Sequence, residues 1–322
     1  MERVFNPAVL PRGGEKNWSL GAAFAVMVVL LVAGPFVLYP VFLMKALCFA
    51  LFACAFNLLI GYVGLLSFGH AMFFGWASYL TAYAVKGWGL PPEPAILIGT
   101  ATAALLGVVA GYLAIRRQGI YFAMITLALA QMTYFFALQA KFTGGEDGIQ
   151  GVPRGRLFGV FDLSNEMTMY VFILVVVLAG FLLIYRIINS PFGEVLKAIR
   201  ENEQRAVSLG YKTERYKVVA FVLSATLAGL AGSLNALVFQ LASLTDVHWT
   251  MSGDVVLMTL LGGLGTVFGP VVGAFLVIAM QNYLAPFGQW VLVIQGAIFV
   301  ACVLAFRRGI VGEIARALRV PL

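Results

Sequence analysis

Long apolar stretches constrain what this chain can fold into more than any other feature. Nine of them follow one another, at residues 20–39, 41–60, 71–86, 94–115, 119–140, 167–187, 217–242, 267–285 and 289–306. Most are close to the ~20 residues that an α-helix needs to cross the hydrocarbon core of a bilayer. Only 11% of the residues are charged, whereas a soluble domain carries about 25%. The sequence therefore predicts an all-α, polytopic transmembrane helical bundle with eight to ten spans.

The distribution of lysine and arginine predicts which side of the membrane each loop occupies. Short cytoplasmic loops retain these basic residues. A cytoplasmic N-terminal segment at 1–19 places the basic stretch from Arg186 to Lys217 and the basic tail at 307–322 on the same side. We expect a transmembrane domain at 20–306 in a bacterial-type inner membrane, with both termini cytoplasmic. The net charge of +7 then follows from topology; membrane lipid is an expected partner and nucleic acid is not.

The longest polar interruption of the apolar runs is residues 188–216, which we call the insert. It predicts two short helices. Ser190 can cap the first, with Pro191 at its first helical position, and Gly210 suits the left-handed end of the second. Both helices are polar on one side and apolar on the other, which is typical of an element that docks onto a soluble partner. A solvated loop that only adds positive charge is the alternative.

Residues 141–166 fall on the external side of this topology. Their glycine, proline and acidic content is typical of an ordered loop built from turns. This loop is either a docking surface or gate, or a plain connector.

The stretch from Asp254 to Phe306 is too short for three full spans, although the topology requires an odd number of crossings there. A re-entrant segment resolves this, with a half-helix near 251–261 and a return helix at 267–285. The turn between them carries Gly262, Gly263 and Gly265. Irregular backbone at membrane depth needs protein or a water-filled cavity around it. The turn is therefore a candidate pathway element, with close helix packing through small residues as the alternative.

A second glycine-rich segment lies earlier in the chain and carries Gly61, Gly64 and Gly69. Both segments read G-x-x-G and reach a Phe-Gly pair a few residues later. Glycine-interrupted segments in the two halves of a transporter point toward a central site. The match predicts an internal repeat, unless two short glycine-rich strings agree by chance.

Ionisable side chains are scarce within the predicted spans, where they usually mark ion or proton routes. Lys45 can extend toward the interface, and Asp254 lies at the outer end of the presumed half-helix. His70 is either a hydrogen-bonded packing residue or a proton relay. With no P-loop and two histidines in the chain, we expect no catalytic, cofactor or metal site, and energy from another subunit.

Five strings, taken together and in this order, resemble the LivM-type permeases of branched-chain amino acid ABC importers. They are NLLIGYVGLLSFGH at 57–70, GIYFAMITLA at 119–128, TGGEDGI at 143–149, AIRENEQRA at 198–206 and GGLGT at 262–266. The resemblance covers the chain from about residue 41. It implies the ABC importer permease fold.

This resemblance implies that the insert contacts an ATPase. ABC permeases carry an E-A-A-x-x-L-G-like signature there; Ala206, Leu209 and Gly210 match it, whereas Gln204 and Arg205 replace the usual Glu and Ala. The implied coupling residues are Glu194, Arg200, Glu201, Arg205, Ala206, Leu209 and Gly210. The implied partners are a second, LivH-type permease, two cytoplasmic ATPase subunits that bind the ATP, and an external substrate-binding protein.

The resemblance further implies that this chain forms half of a pathway for branched-chain amino acids. The candidate pathway residues are Asn57, Ser67, His70, Thr126, Gln131 and Thr259. A related ABC permease for simple sugars, urea or short amides is the nearest alternative. A secondary carrier or channel that works alone is the alternative from another class.

Overall fold

A computed structural model describes residues 18–288, 290–306 and 309–318. The predictions for most of the N-terminal segment, for residues 307 and 308 and for the end of the tail fall outside these residues. The helices are α1 (Trp18–Ala33), α2 (Pro40–Tyr62), α3 (His70–Lys86), α4 (Pro92–Ala114), α5 (Ile120–Gln139), α6 (Glu166–Ile188), α7 (Pro191–Glu201), α8 (Glu203–Ser208), α9 (Thr213–Phe239), α10 (Leu244–Val247), α11 (Trp249–Gly262), α12 (Gly269–Leu284), α13 (Trp290–Ala305) and α14 (Gly309–Leu318).

In the part of the chain that the structure describes, six helical segments are long and apolar enough to cross a membrane. They are Pro40–Tyr62, Pro92–Ala114, Ile120–Gln139, Glu166–Ile188, Thr213–Phe239 and Gly269–Phe287. Two shorter apolar helices, Gly21–Phe36 and Val293–Cys302, accompany them. The predicted polytopic helical bundle is confirmed, and the total of eight to ten spans stays a prediction.

Helix α2 lies at the centre of the bundle. Of its most apolar window, 89% is buried inside the protein, against 33% for α4 and 28% for α5. Around α2 pack α6, α9 and α12, and α9 in turn packs against α3 and α4. The outer helices expose large apolar side chains such as Leu105 and Met132. Such faces suit contact with lipid chains or with another membrane subunit.

Small residues let α9 approach its neighbours closely. A Cβ at Gly232 would overlap the backbone of Phe74 in α3, and one at Gly229 would overlap Ala103 in α4. Apolar side chains alone give little driving force between helices in lipid, so close contacts of this kind stabilise the packing.

The loop at 141–166 holds short strands as well as turns. Strands β2 (Arg156–Leu157) and β3 (Phe161–Asp162) pair with each other. Strand β1 (Ile149–Gln150) pairs antiparallel with β4 (Leu241–Ala242), with Ile149 opposite Ala242. The loop is therefore tied to the segment that follows α9.

Helices α11 and α12 form the predicted pair of a short helix and a return helix around a glycine-rich turn. Gly263 and Gly265 adopt positive φ values of 127° and 74°, which L side chains rarely adopt. Helix α14, which the sequence did not predict, reaches the same place, because Gly309 lies against Gly263.

The two predicted helices of the insert are confirmed as α7 and α8. Ser190 accepts a hydrogen bond from the Gly193 amide at 3.3 Å, with Pro191 at the first helical position. Asn202 caps α8 by accepting from the Arg205 amide at 3.0 Å. Gly210 ends the insert helices with φ 89°.

Candidate functional site

Helix α9 runs the length of the bundle and defines its two ends. Near its start, Lys217 pairs with Glu203 of the insert. Near its finish, the Val238 carbonyl accepts a hydrogen bond from Arg154 of the loop at 141–166, at 2.9 Å. We call the first the insert end and the second the loop end.

At the insert end, Arg200 of α7 touches both glycine-rich segments. Its guanidinium donates a hydrogen bond to the Gly61 carbonyl at the end of α2. Its Cγ lies 3.2 Å from the position that a Cβ on Gly64 would take, and its Nη1 lies 3.1 Å from that position on Gly265. Any larger residue at either glycine would press on Arg200. One side chain of the insert thus joins the two segments that share a sequence pattern.

Asn57 makes the second link between these segments. Its Nδ2 donates to the Thr266 carbonyl at 2.9 Å, and its Oδ1 accepts from the Gly265 amide at 3.0 Å. The side chain is 3% exposed. Because both polar atoms of the amide are paired, Asn57 fixes the turn between α11 and α12 against α2. We call the group of Asn57, Arg200 and the two glycine segments the insert junction.

Glu203 anchors the insert to the rest of the bundle. It accepts hydrogen bonds from Lys217 and, at 3.2 Å, from Thr213 at the start of α9. It also accepts from Gln118, between α4 and α5, at 2.8 Å. Lys217 is 3% exposed, and burying an ammonium without a partner is costly. Sequence analysis did not identify Glu203 and Lys217 as a pair. The available signal was their opposite charges at the boundary of an apolar run.

The apolar face of α7 points toward the bundle. Leu196 and Ile199 are buried, and Phe192 stacks on Tyr216 of α9 at 5.7 Å between ring centroids. Of the predicted coupling residues, Ala206 is also buried, and the others are exposed. The exposed ones are Glu194, Arg200, Glu201, Arg205, Leu209 and Gly210.

Three of the predicted pathway residues lie close together near the start of α3. Ser67 accepts from the Gly69 amide at 3.2 Å, and Thr126 accepts from the Phe68 amide at 3.2 Å. His70 Nε2 lies 2.9 Å from the Ser224 hydroxyl. The His70 ring packs edge-on against Phe56 at 5.0 Å. These contacts favour the packing interpretation of His70.

The other predicted pathway residues are spread through the bundle. Asn57 belongs to the insert junction, and Thr259 donates to carbonyls of its own helix, α11. Gln131 is half-buried on α5. The structure therefore does not gather all six residues into one site, and their place along a pathway stays a prediction.

A cavity of about 230 Å³ lies at the loop end, between α2, α9, α11 and α12. Its lining contains none of the predicted pathway residues. It is lined by Lys45, Phe49, Asn235, Phe239, Leu241, Ser243, Thr245, Asp246, Met251, Asp254 and Gln281. Lys45 and Asp254 were noticed in the sequence, but nothing along the chain indicates that they share a cavity.

Within residues 18–288, 290–306 and 309–318, no three His, Cys, Asp or Glu side chains group as a metal site would require. The absence of a cofactor stays a prediction.

Residues 38–303 match the model of a family described as the permease component of branched-chain amino acid transport systems. The chain belongs to this family. The insert junction and the loop-end cavity both lie within the matched residues. The resemblance to LivM-type permeases, predicted from five short strings, is thereby confirmed.

Individual relatives support the assignment to this permease family. The high-affinity branched-chain amino acid permease LivM of Escherichia coli is 27% identical over 267 residues, which are 76% of this chain and 63% of LivM. The chain thus spans less than two thirds of that relative. The ribose import permease RbsC of Bacillus subtilis is 29% identical over 188 residues, 56% of this chain and 58% of RbsC. No solved structure matches this chain.

Proposed function

We propose that this chain is the permease subunit of an ATP-driven ABC importer and forms half of the pathway for branched-chain amino acids. The observation that carries the proposal is Arg200, because it joins the insert to the glycine-rich ends of α2 and of the α11–α12 pair. Movement of the insert would therefore move two segments of the bundle together. Because the chain belongs to the permease family, we take the insert as the element that is moved by the partner and the bundle as the element that responds.

The proposed partners follow from the surfaces that the bundle leaves exposed. Two cytoplasmic ATPase subunits would bind the ATP, and one would contact Glu194, Glu201, Arg205, Leu209 and Gly210 on the insert. The exposed apolar faces of the outer helices would meet lipid and a second, LivH-type permease. An external substrate-binding protein would dock at the loop end. In this proposal the insert and both termini would lie on the cytoplasmic side of the inner membrane.

A second substrate class has support from one observation. RbsC, a ribose import permease, is as similar in identity over its matched region as LivM is. A sugar importer with the same coupling architecture is therefore the competing proposal. In both cases the external binding protein would make the high-affinity selection.

The deciding experiment uses the assembled importer. The chain is co-expressed with the proposed second permease and ATPase subunits, reconstituted in liposomes, and supplied with the external binding protein and ATP. We expect ATP-dependent uptake of radiolabelled leucine and none of ribose. Uptake by this chain alone would indicate a stand-alone carrier or channel, and ribose uptake by the complex would contradict the amino acid assignment.

A further inference from the structure

The loop-end cavity is built from residues that are far apart in the chain. Lys45 and Phe49 come from α2, Asn235 and Phe239 from α9, Asp254 from α11 and Gln281 from α12. Thr245, also in the lining, is exposed, so the cavity opens to the surface of the bundle. Its volume, about 230 Å³, is below the roughly 300–1,000 Å³ of pockets for drug-sized ligands. It suits an occupant the size of one amino acid.

Basic and acidic side chains both line this cavity, but they form no ion pair within 4.0 Å among the described residues. Lys45, Asp246 and Asp254 all line it. The described part of the chain contains two ion pairs within 4.0 Å, Lys197–Glu194 and Lys217–Glu203, and both lie at the insert end. The Lys45 ammonium instead lies 5.9 Å from the centre of the Phe49 ring and 6.0 Å from that of Phe239. Cation–π contacts of this kind hold the ammonium at the cavity wall.

The two carboxylates retain free acceptor capacity. One oxygen of Asp246 accepts from the Ser243 amide at 3.3 Å, and one oxygen of Asp254 accepts from Gln281 at 3.4 Å. An ionised carboxylate offers about four acceptor positions. Each can therefore still accept hydrogen bonds from a ligand ammonium.

Asn235 gives an independent indication of a ligand. The residue is 4% exposed and lines the cavity, and its Oδ1 has no hydrogen-bond partner among the described residues. A buried polar atom without a partner costs about 1–3 kcal/mol, and most such atoms in proteins are paired. An N–H donor of a ligand in the cavity would satisfy this oxygen.

The remaining lining residues provide an apolar wall. Phe49, Phe239, Leu241 and Met251 would contact an aliphatic group without competing for hydrogen bonds. The cavity thus combines one cationic group, two anionic groups, an amide oxygen without a partner among the described residues, and an apolar surface.

We propose that this cavity is a transient binding site for the zwitterion of an aliphatic amino acid. Lys45 faces the α-carboxylate, and Asp246, Asp254 and the Asn235 amide oxygen face the α-ammonium. The inference rests on the proposed function, because it makes the cavity the place where this permease receives substrate at the loop end. Binding there is weak, since a pathway site must release its ligand; we expect a dissociation constant on the order of 1 mM.

The test follows the accessibility of a cysteine placed in the cavity. Thr245→Cys is introduced into the complete importer in proteoliposomes, and its rate of modification by a charged methanethiosulfonate reagent is measured against the unsubstituted complex. L-leucine should slow the reaction about twofold at its dissociation constant, where half the sites are occupied. Isoamylamine, which lacks the carboxylate, and 4-methylpentanoate, which lacks the ammonium, should each protect far less.

Matched variants separate the cavity from the rest of the loop end. Lys45→Met or Asp254→Asn should remove the protection, whereas Lys141→Met and Asp147→Asn, at exposed positions of the loop, should keep it. Stimulation of ATP hydrolysis by the binding protein shows that each variant has folded and assembled.

Each result bears on the proposal in a defined way. No protection by leucine, equal protection by isoamylamine, or protection by Na⁺ or K⁺ alone would overturn it. ATP-driven leucine uptake measured in the same vesicles separates this inference from the proposed function. Uptake without protection contradicts the cavity site alone, and protection without uptake supports the site but contradicts the proposed function.

Discussion

The insert junction and the loop-end cavity differ in how fully their polar side chains are paired. At the junction, both polar atoms of Asn57 are paired, and Arg200 fills the space beside Gly64 and Gly265. At the cavity, Lys45, Asp246 and Asp254 surround open volume, and the Asn235 oxygen has no partner in the described part of the chain. Tightly packed groups transmit movement, since packed interiors deform little. Polar groups that line a cavity and keep free hydrogen-bonding capacity are available to a ligand.

The largest effect should come from Arg200→Ala. The substitution removes the hydrogen bond between the insert and the Gly61 carbonyl, and losing a hydrogen bond to a charged group costs about 1.5–3 kcal/mol. We expect leucine uptake to fall roughly 100-fold, with basal ATP hydrolysis retained but no longer stimulated by the binding protein, so that hydrolysis is uncoupled from the bundle. Arg200→Lys should not restore uptake, because lysine lacks the planar fork. Uptake close to that of the unsubstituted complex in both variants would show that the junction does not couple.

Lys217→Met should have the next largest effect, and it acts on stability. It leaves Glu203 without its cationic partner, and breaking a buried pair costs about 3–5 kcal/mol. Because Glu203 is 25% exposed, we expect the lower end of that range. Thermal unfolding of the purified complex measures it. The double variant with Glu203→Gln should recover part of the loss, since no unpaired charge then remains; an additive loss would contradict the ion pair's role.

Lys45→Met should reduce transport without uncoupling it. Losing one hydrogen bond to a charged group costs about 1.5–3 kcal/mol, so uptake at limiting substrate should fall at least about tenfold. Stimulation of ATP hydrolysis by the binding protein should remain in Lys45→Met, whereas Arg200→Ala should abolish that stimulation. If Lys45→Met abolished the stimulation of ATP hydrolysis as Arg200→Ala does, the proposed difference between the two ends would be contradicted.

Acidification should weaken the cavity by a smaller factor. Burial raises the pKa of Asp246 to about 6, so this carboxylate is ionised above that pH and gains a proton as the pH falls through it. Lys45, Asp254 and Tyr79 lie near it, and His248 follows it by two residues in the chain. Leucine protection of Thr245→Cys should therefore fall about two- to threefold between about pH 7.5 and about pH 5.5.

Two controls isolate this titration. Asp246→Asn should show weak protection that changes less with pH, and modification of Asp147→Cys corrects for the reagent's own pH dependence. If leucine protection in Asp246→Asn changed with pH as much as it does with Asp246 present, Asp246 would be excluded as the titrating group.

The smallest effect should come from Lys197→Ala. Its ion pair with Glu194 spans 2.8 Å on the exposed side of the insert, and such pairs contribute about 0–1 kcal/mol. We expect an unfolding temperature and a hydrolysis rate close to those of the unsubstituted complex. A large loss of hydrolysis with unchanged stability would instead identify Lys197 as a direct contact of the ATPase.

Sequence patterns predicted the long helices closely and their ends less well. The run at 167–187 became Glu166–Ile188, whereas the run at 217–242 became Thr213–Phe239. Hydropathy does not register Thr213 to Arg215, although the helix continues through these polar residues. The helix ends early because Gln240 adopts φ 53° and the chain then enters β4. The cap of α7 was predictable because it depends on adjacent residues only.

Sequence by itself determined that this chain is a helical membrane protein with a two-helix insert, and five strings indicated its family. These properties follow from hydropathy and capping, which act over a few turns of chain. Only the tertiary structure decided that Asn57 meets Gly265 and Thr266, which lie 208 and 209 positions away. It likewise brought Lys45 to the cavity that Asp246 and Asp254 line. Contacts over such separations depend on which helices pack against each other, and the local pattern of apolar residues does not identify the partner helix.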